Sequence, residues 1–269
     1  MLVKRSISAV IILVISFALI FAGGWIFSTG IAAILSIAIW EFFGLFKKGG
    51  YQPNSLLLIF GTIGIIFATS TGDPFITTLA YFLTVIFILI SAIIRYRGKE
   101  QTAAVDLAIE LAALLFITFL GSYLIKIRIL PNGLFWIIIS VIPTGIGDVG
   151  AYLVGSLIGK TKIAPAISPN KSVEGFIGGV VVASFIGYGI GYVANQFVPE
   201  ITITASTIIG CINGLLSPLG DLSKSIIKRQ FNQKNTSNLI PGHGGLLDRL
   251  DTSLWAGPIA FYIITYFFL

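Results

Sequence analysis

A short segment near the carboxyl end of the chain concentrates groups that could do chemistry. Residues 238–251 read N-L-I-P-G-H-G-G-L-L-D-R-L-D and include His243, the only histidine in the sequence. Asp248 and Asp251 are three residues apart, so they would share one face of a helix. Arg249 between them offers a planar fork of donors that suits a phosphate group. This combination predicts a site for a phosphorylated ligand.

The residues before these charges predict a loop that runs into a helix. Pro241-Gly242 excludes a regular helix at that point, and Gly244-Gly245 allow backbone N–H groups to approach a ligand closely. A helix that begins near Leu246 would direct its positive end at the loop, which favours anions. For His243 we favour a hydrogen bond to phosphate or to Asp248 over general base catalysis, because a phosphate nucleophile is already ionised near neutral pH. A purely structural loop histidine remains an alternative.

A second polar segment, D-L-S-K-S-I-I-K-R, occupies residues 221–229. In a helix, Asp221, Lys224, Ser225 and Lys228 would lie on one face, because their spacing is i, i+3, i+4 and i+7. One carboxylate, one hydroxyl and two ammonium groups suit a phosphate–metal complex. A solvated basic helix that touches anionic lipid headgroups is the alternative.

Carboxylates elsewhere could complete a metal site. Asp148 follows the glycine-rich T-G-I-G, and with Asp221 and Asp248 it could bind Mg²⁺, which prefers carboxylate and phosphate oxygens. The single cysteine, Cys211, and the single histidine offer no zinc cluster. Lys171 and Glu174 could bind substrate or pair with each other.

The elements that position these groups are expected to be membrane helices. The chain has 269 residues, a mean hydropathy of +0.98 and only 10% charged residues, which is outside the range of soluble domains. We therefore predict an all-α, polytopic integral membrane protein with about nine transmembrane helices. The predicted spans are 7–23, 28–46, 56–70, 75–94, 103–125, 134–155, 173–194, 201–219 and 253–269.

The distribution of basic residues predicts the orientation. With the amino terminus inside and nine crossings, every Lys and Arg except Lys126 and Arg128 falls on the cytoplasmic side, as the positive-inside rule requires. The expected topology is N-in/C-out in the cytoplasmic (inner) membrane. The net charge of +6 is then mostly topogenic, and we expect no nucleic-acid partner.

Two regions are expected to differ in role. Residues 1–130 read as apolar helices that form a scaffold or a lipid path. Asp106 and Glu110 among them could be functional, because ionisable groups in a bilayer are costly, but we favour pairing with Arg95, Arg97 or Lys99. In residues 131–269, the polar and glycine-rich segments 144–152, 168–175 and 217–225 are predicted to interrupt the helices. Irregular backbone at membrane depth needs a polar cavity, so we expect one that opens to the cytoplasm.

The segment from Ser225 to Asp251 resembles the signature of the phosphatidate cytidylyltransferases (CDP-diacylglycerol synthases). D-V-G-A-Y at 148–152, S-P-N-K-S-V-E-G at 168–175 and Asp221 are similar to other hallmarks of that family. One departure is Asn235, which follows Lys234 where the family usually has Asp.

The resemblance implies transfer of a cytidylyl group from CTP to phosphatidic acid, with release of pyrophosphate, by a membrane-bound enzyme of phospholipid biosynthesis. It also implies that the enzyme uses one or two divalent ions, of which Mg²⁺ is the expected one, or one divalent and one monovalent ion. A homodimer is a possible assembly. The implied catalytic residues are Asp221, Asp248, Lys228, Arg249 and His243. The implied metal ligands are Asp221 and Asp248, with Asp148 and Asp251 as further candidates. The implied substrate-binding residues are Ser168, Asn170, Lys171, Ser223, Lys224, Ser225, Arg229, Lys234, Gly244 and Gly245.

Two other functions fit parts of the pattern. A CTP-dependent kinase of a polyprenol-type lipid alcohol would use the same cytosolic nucleotide, and a base such as His243 would then matter more. A small-solute transporter would also carry intramembrane carboxylates, but its polar residues should face both sides of the membrane and here they gather on one.

Overall fold

The computed structural model describes residues 2–98, 100–240, 242 and 244–268, and for residues 2–7, 9 and 251 it describes the backbone only. Helices dominate the described chain. Their bounds are α1 Leu2–Ala22, α2 Gly24–Lys48, α3 Ser55–Ser70, α4 Pro74–Arg97, α5 Ala103–Ala113, a π-helical segment Leu114–Phe119, α6 Leu120–Ile129, α7 Gly133–Ile158, α8 Val173–Phe197, α9 Ile203–Gln230 and α10 Leu247–Phe267. The prediction of an all-α architecture is confirmed.

Six of the described helical segments are long and apolar enough to cross a membrane. They are α2, α4, the continuous run from Ala103 to Ile129, α7, α8 and α9, and each has at least 24 residues. Large apolar side chains such as Phe60, Phe87 and Phe185 are more than half exposed, as expected where lipid is the solvent. The chain is therefore an integral membrane protein.

The chain divides into two compact units. The first contains residues 1–129 together with 230–249, and the second contains residues 130–229 together with 250–269. In the first unit α2 packs on α3 and α3 on α4, around a core that includes Phe42, Phe43 and Ile66. The residues between α9 and α10 therefore belong with the amino-terminal helices.

A buried ion-pair network fixes the loop between α2 and α3. The Arg95 guanidinium lies 2.7 Å from Glu110 and 3.7 Å from Asp106, so the predicted pairing with Arg95 is confirmed. The same two carboxylates accept hydrogen bonds from the backbone N–H groups of Asn54 and Gln52. Both acidic side chains are fully buried, and these partners compensate their charge.

The second unit contains a short antiparallel hairpin, which the sequence did not predict. Strand β1 (Lys162–Ala164) pairs with β2 (Ser168–Ser172) between α7 and α8. Segment 168–175 is thus a strand followed by the start of α8. The Ser172 hydroxyl caps that helix by accepting from the Gly175 N–H.

The predicted interruptions at 144–152 and 217–225 are wrong. Both segments lie inside continuous helices, α7 and α9, which also accommodate Pro143 and Pro218. The glycines serve close helix packing instead: a Cβ on Gly147 would lie 2.9 Å from the Ala183 Cβ, and one on Gly150 would lie 2.7 Å from Val182. Small residues let membrane helices approach closely, so a glycine-rich sequence does not imply a broken helix.

Candidate functional site

The segment before α10 is a tight loop organised by Asp248. Its Oδ2 accepts hydrogen bonds from the Thr236 N–H at 2.9 Å, the Thr236 hydroxyl at 3.0 Å and the Gly245 N–H at 3.1 Å. An isolated β-bridge between Ile240 and Gly244 closes the turn. The predicted helix start near Leu246 is confirmed, because α10 begins at Leu247. Asp248 thus holds the loop against the first turn of its own helix.

The two consecutive glycines are required by this geometry. Gly244 has a φ of +83°, which favours glycine, and a Cβ there would lie 3.0 Å from the Asp248 Oδ2 and 3.1 Å from the Asn235 Cγ. A Cβ on Gly245 would overlap the Thr236 hydroxyl oxygen and lie 2.7 Å from a Glu41 carboxylate oxygen. The glycines therefore allow the loop backbone to approach the protein's own carboxylates.

Glu41 of α2 is the residue that sequence reasoning missed. Its carboxylate accepts hydrogen bonds from the Leu246 N–H at 2.9 Å and the Leu247 N–H at 2.7 Å. It also accepts from the Ser237 hydroxyl at 2.5 Å, and the Thr236 hydroxyl, which donates to Asp248 at the shorter distance, lies 3.4 Å from it. The anions at the amino-terminal end of α10 in this structure are thus Glu41 and Asp248. A lone acidic residue in an apolar helix was the only signal in the sequence.

In the second unit, an ion pair joins β2 to α9. The Lys171 ammonium lies 2.7 Å from the Asp221 Oδ2, and both side chains are about 30% exposed. Glu174 instead accepts hydrogen bonds from the backbone N–H groups of Lys160 and Thr161, so the predicted alternative in which Lys171 pairs with Glu174 is not observed. The Arg229 guanidinium donates to the Ile167 carbonyl, which ties the end of α9 to the same hairpin.

The polar face predicted for segment 221–229 exists and is largely withdrawn from water. Lys224 is 2% exposed, Ser225 7% and Lys228 8%, whereas Asp221 is partly exposed. A solvated basic helix would leave its lysines in water, so that alternative does not describe these side chains. Burial of two ammonium groups is costly, and such groups are usually kept for binding or catalysis.

The remaining predicted site residues lie nearer the surface. Asn170, Arg229, Lys234 and Arg249 are exposed, and Ser168 is half-buried at the start of β2. The Ser223 hydroxyl donates to the Leu219 carbonyl within α9.

The carboxylates proposed for a metal ion are distributed over both units. Asp148 is exposed on the continuous helix α7 and Asp221 lies on α9, whereas Asp248 belongs to the first unit. Among the residues that the structure describes, no three histidine, cysteine or acidic side chains are grouped closely enough to hold a metal ion by themselves. His243 and the Asp251 side chain lie outside the described residues.

Sequence comparisons identify what the chain resembles. The model of the cytidylyltransferase family matches residues 3–267. A phosphatidate cytidylyltransferase of Synechocystis is 32% identical over 97% of this chain and 96% of its own length. Proteins of the same name from Staphylococcus saprophyticus and Bacillus subtilis are 29% and 39% identical, over 95% and 59% of this chain and 96% and 58% of their own lengths.

Proposed function

Since the chain belongs to the cytidylyltransferase family, we infer that it transfers a cytidylyl group from CTP to phosphatidate and releases pyrophosphate. The product is CDP-diacylglycerol, a precursor in phospholipid biosynthesis. The family match extends over nearly the whole chain, and so does the resemblance to the Synechocystis relative. The structural observation that carries the proposal is the buried cationic face of α9, formed by Lys224 and Lys228.

The reaction brings two anions together. A phosphate oxygen of phosphatidate attacks the α-phosphorus of CTP in line, the bond from that phosphorus to the bridging oxygen of the β-phosphate breaks, and pyrophosphate leaves. No proton has to be removed from an ionised phosphate, so catalysis consists mainly of positioning and neutralisation of charge. We assign that neutralisation to Lys224, Lys228, Arg229, Lys234 and Arg249. Ser168, Asn170, Lys171, Ser223 and Ser225 remain proposed contacts to the substrates.

The donors that we propose for a divalent cation are carboxylates. Asp221 is about 30% exposed, so water and phosphate oxygens can reach it, and Mg²⁺ commonly uses one or two carboxylates together with substrate phosphates. We propose Asp221 and Asp248 as its ligands, with Asp148 and Asp251 as secondary candidates and a second ion as an option. When bound, the cation supplies charge neutralisation at the phosphates.

The chemistry of the substrates supports the proposed location. CTP is cytosolic and phosphatidate carries its phosphate at the membrane surface, so we propose a site that faces the cytoplasm in the inner membrane. Together with this location we propose the nine-span N-in/C-out topology, a cavity open to the cytoplasm and a homodimer. Cysteine accessibility mapping on either side of the membrane would test the topology.

Turnover of defined substrates tests the function directly. Purified protein in lipid nanodiscs is incubated with CTP and phosphatidate, with divalent ions removed by chelation and then restored. We expect equal amounts of pyrophosphate and CDP-diacylglycerol, and none of either without the ion. Release of CDP with a phosphorylated lipid alcohol would instead establish the kinase.

Matched carboxylate variants test the proposed metal ligands. Asp221→Asn and Asp248→Asn should each lower turnover by at least about a hundredfold, because each removes a negative ligand from the phosphate site. Asp73→Asn is the control: Asp73 is the exposed N-cap of α4, and Asn caps a helix as well as Asp does. Retention of a tenth of wild-type activity by both site variants would reject the assignment.

A further inference from the structure

Glu41 occupies an unusual position for a carboxylate in a membrane helix. It lies on α2, is 1% exposed, and both of its oxygens accept hydrogen bonds from the loop or from the start of α10. In the described part of the chain no cationic side chain pairs with it. Its charge is compensated by two backbone N–H groups, the Ser237 hydroxyl and the positive end of α10.

The contacts continue along the end of α2. The ring of Phe231 packs edge-on against Phe46 with centroids 5.0 Å apart, and it also covers Gly49. The Lys48 ammonium donates to the side-chain oxygen of Gln233 at 3.0 Å. The segment from 231 to 247 is therefore attached at both of its ends to the last two turns of α2, with Glu41 at the end that leads into α10.

From this geometry we propose that Glu41 is a positioning residue for the cytidylyl transfer. Its carboxylate fixes the amino-terminal turn of α10 and the loop before it, and thereby sets the positions of Asp248 and Arg249. The inference rests on the proposed function, in which these two residues contact the metal ion or the phosphates. It also implies that helix α2, in the amino-terminal part of the chain, holds the loop between α9 and α10 in place.

The chemistry of the contacts explains why a carboxylate is required. Leu246 and Leu247 present N–H donors from adjacent residues, and each reaches a different oxygen of Glu41. Glutamine has one acceptor oxygen and an NH₂ group, so it satisfies one of these donors and opposes the other. A neutral amide also loses the attraction to the helix dipole. Glu41→Gln therefore weakens the hydrogen bonds to the Leu246 and Leu247 N–H groups without changing the volume of the side chain.

The test combines kinetics with a measurement that does not depend on turnover. Glu41→Gln, Glu41→Ala and the exposed control Glu200→Gln are purified in nanodiscs. For each variant, kcat, KM for CTP, the unfolding temperature and hydrogen–deuterium exchange are measured. We expect Glu41→Gln to raise KM for CTP about fivefold or more and to lower kcat about tenfold, with Glu41→Ala worse and Glu200→Gln unchanged.

Amide exchange separates positioning from general stability. In both Glu41 variants, peptides that contain Leu246 and Leu247 should exchange at least about tenfold faster, while peptides from α4 and α8 exchange as in the wild type. Uniformly faster exchange, or kinetics and local exchange within twofold of the wild type, would overturn the proposal. If the wild type made no CDP-diacylglycerol, the proposed function would fail, and the exchange data would still report whether Glu41 holds the loop.

Discussion

Gly245→Ala is the substitution for which the structure makes its sharpest prediction. The added Cβ would overlap the hydroxyl oxygen of Thr236 and would lie 2.7 Å from the Oε2 and 2.9 Å from the Cδ of Glu41. Thr236 is 3% exposed and Glu41 1% exposed, so neither side chain can move into solvent without opening the loop. A single methyl group therefore acts on the contacts that join α2, the loop and α10.

The cost follows from the bonds that must break. If Thr236 rotates away, its hydroxyl loses the 3.0 Å hydrogen bond to Asp248, and a hydrogen bond to a charged group contributes about 1.5–3 kcal/mol. Displacing Glu41 adds the strain of overpacking, about 1–3 kcal/mol. Together these costs amount to about 2.5–6 kcal/mol, so the equilibrium constant between the closed and the opened loop should fall about a hundredfold or more.

Gly44→Ala supplies the matched control. Gly44 lies on α2 one turn from Glu41, has no atom within 4 Å of an added Cβ and has ordinary helical dihedrals. Alanine there should be neutral or slightly stabilising, because glycine in a helix costs about 0.5–1 kcal/mol relative to alanine. The pair therefore compares the same chemical change at a crowded and an open position.

Initial rates of pyrophosphate release, measured with the unfolding temperature of each purified variant, provide the assay. Gly245→Ala should lower kcat/KM for CTP about a hundredfold at a temperature where the protein is folded, and Gly44→Ala should stay within twofold of the wild type. Activity of Gly245→Ala within threefold of the wild type would refute the reasoning, because the loop would then tolerate the methyl group or turnover would not need it closed.

Other substitutions test separate parts of the structure. Lys228→Met removes a buried ammonium group and should lower turnover at least about a hundredfold with little decrease in the unfolding temperature. Unchanged kinetics would show that Lys228 does not act in the site. Arg95→Met leaves Glu110 buried without its cation and should destabilise the protein by about 3–5 kcal/mol, seen as a lower unfolding temperature, with turnover kept in the protein that remains folded. Gly187→Ala places a Cβ 2.5 Å from the Ser206 carbonyl oxygen, where α8 meets α9, and should lower the unfolding temperature. Gly189→Ala, with no neighbour within 4 Å, should not, and equal behaviour of the two would reject the packing argument.

Composition and spacing determined the class of the protein and most of its helices. Apolar runs predict membrane helices because the bilayer leaves the backbone few other structures, and the observed helices lie close to the predicted spans. The spacing of Asp221, Lys224, Ser225 and Lys228 predicted one helical face, and the start of α10 was predicted within one residue. These features depend on local sequence.

The structure of glycine-rich segments is harder to predict from the sequence, because glycine serves both in loops with positive φ and in close helix packing. Gly147 and Gly150 looked like a break in the helix, yet they permit α7 to pack closely on α8. Gly244 does adopt a positive φ, as a loop requires. The difference lies in which neighbour faces each glycine, and a neighbour distant in the sequence leaves no local signal.

The partners of the acidic residues were decided by tertiary structure alone. By itself the sequence determined that the chain is helical, crosses membranes and resembles the cytidylyltransferase family. It did not reveal that Glu41 contacts residues 236, 237, 246 and 247, about two hundred positions along the chain, or that Lys171 pairs with Asp221. A hydrogen bond requires two atoms about 3 Å apart in space, whatever their separation along the chain. Only the folded structure therefore shows which carboxylate binds which loop.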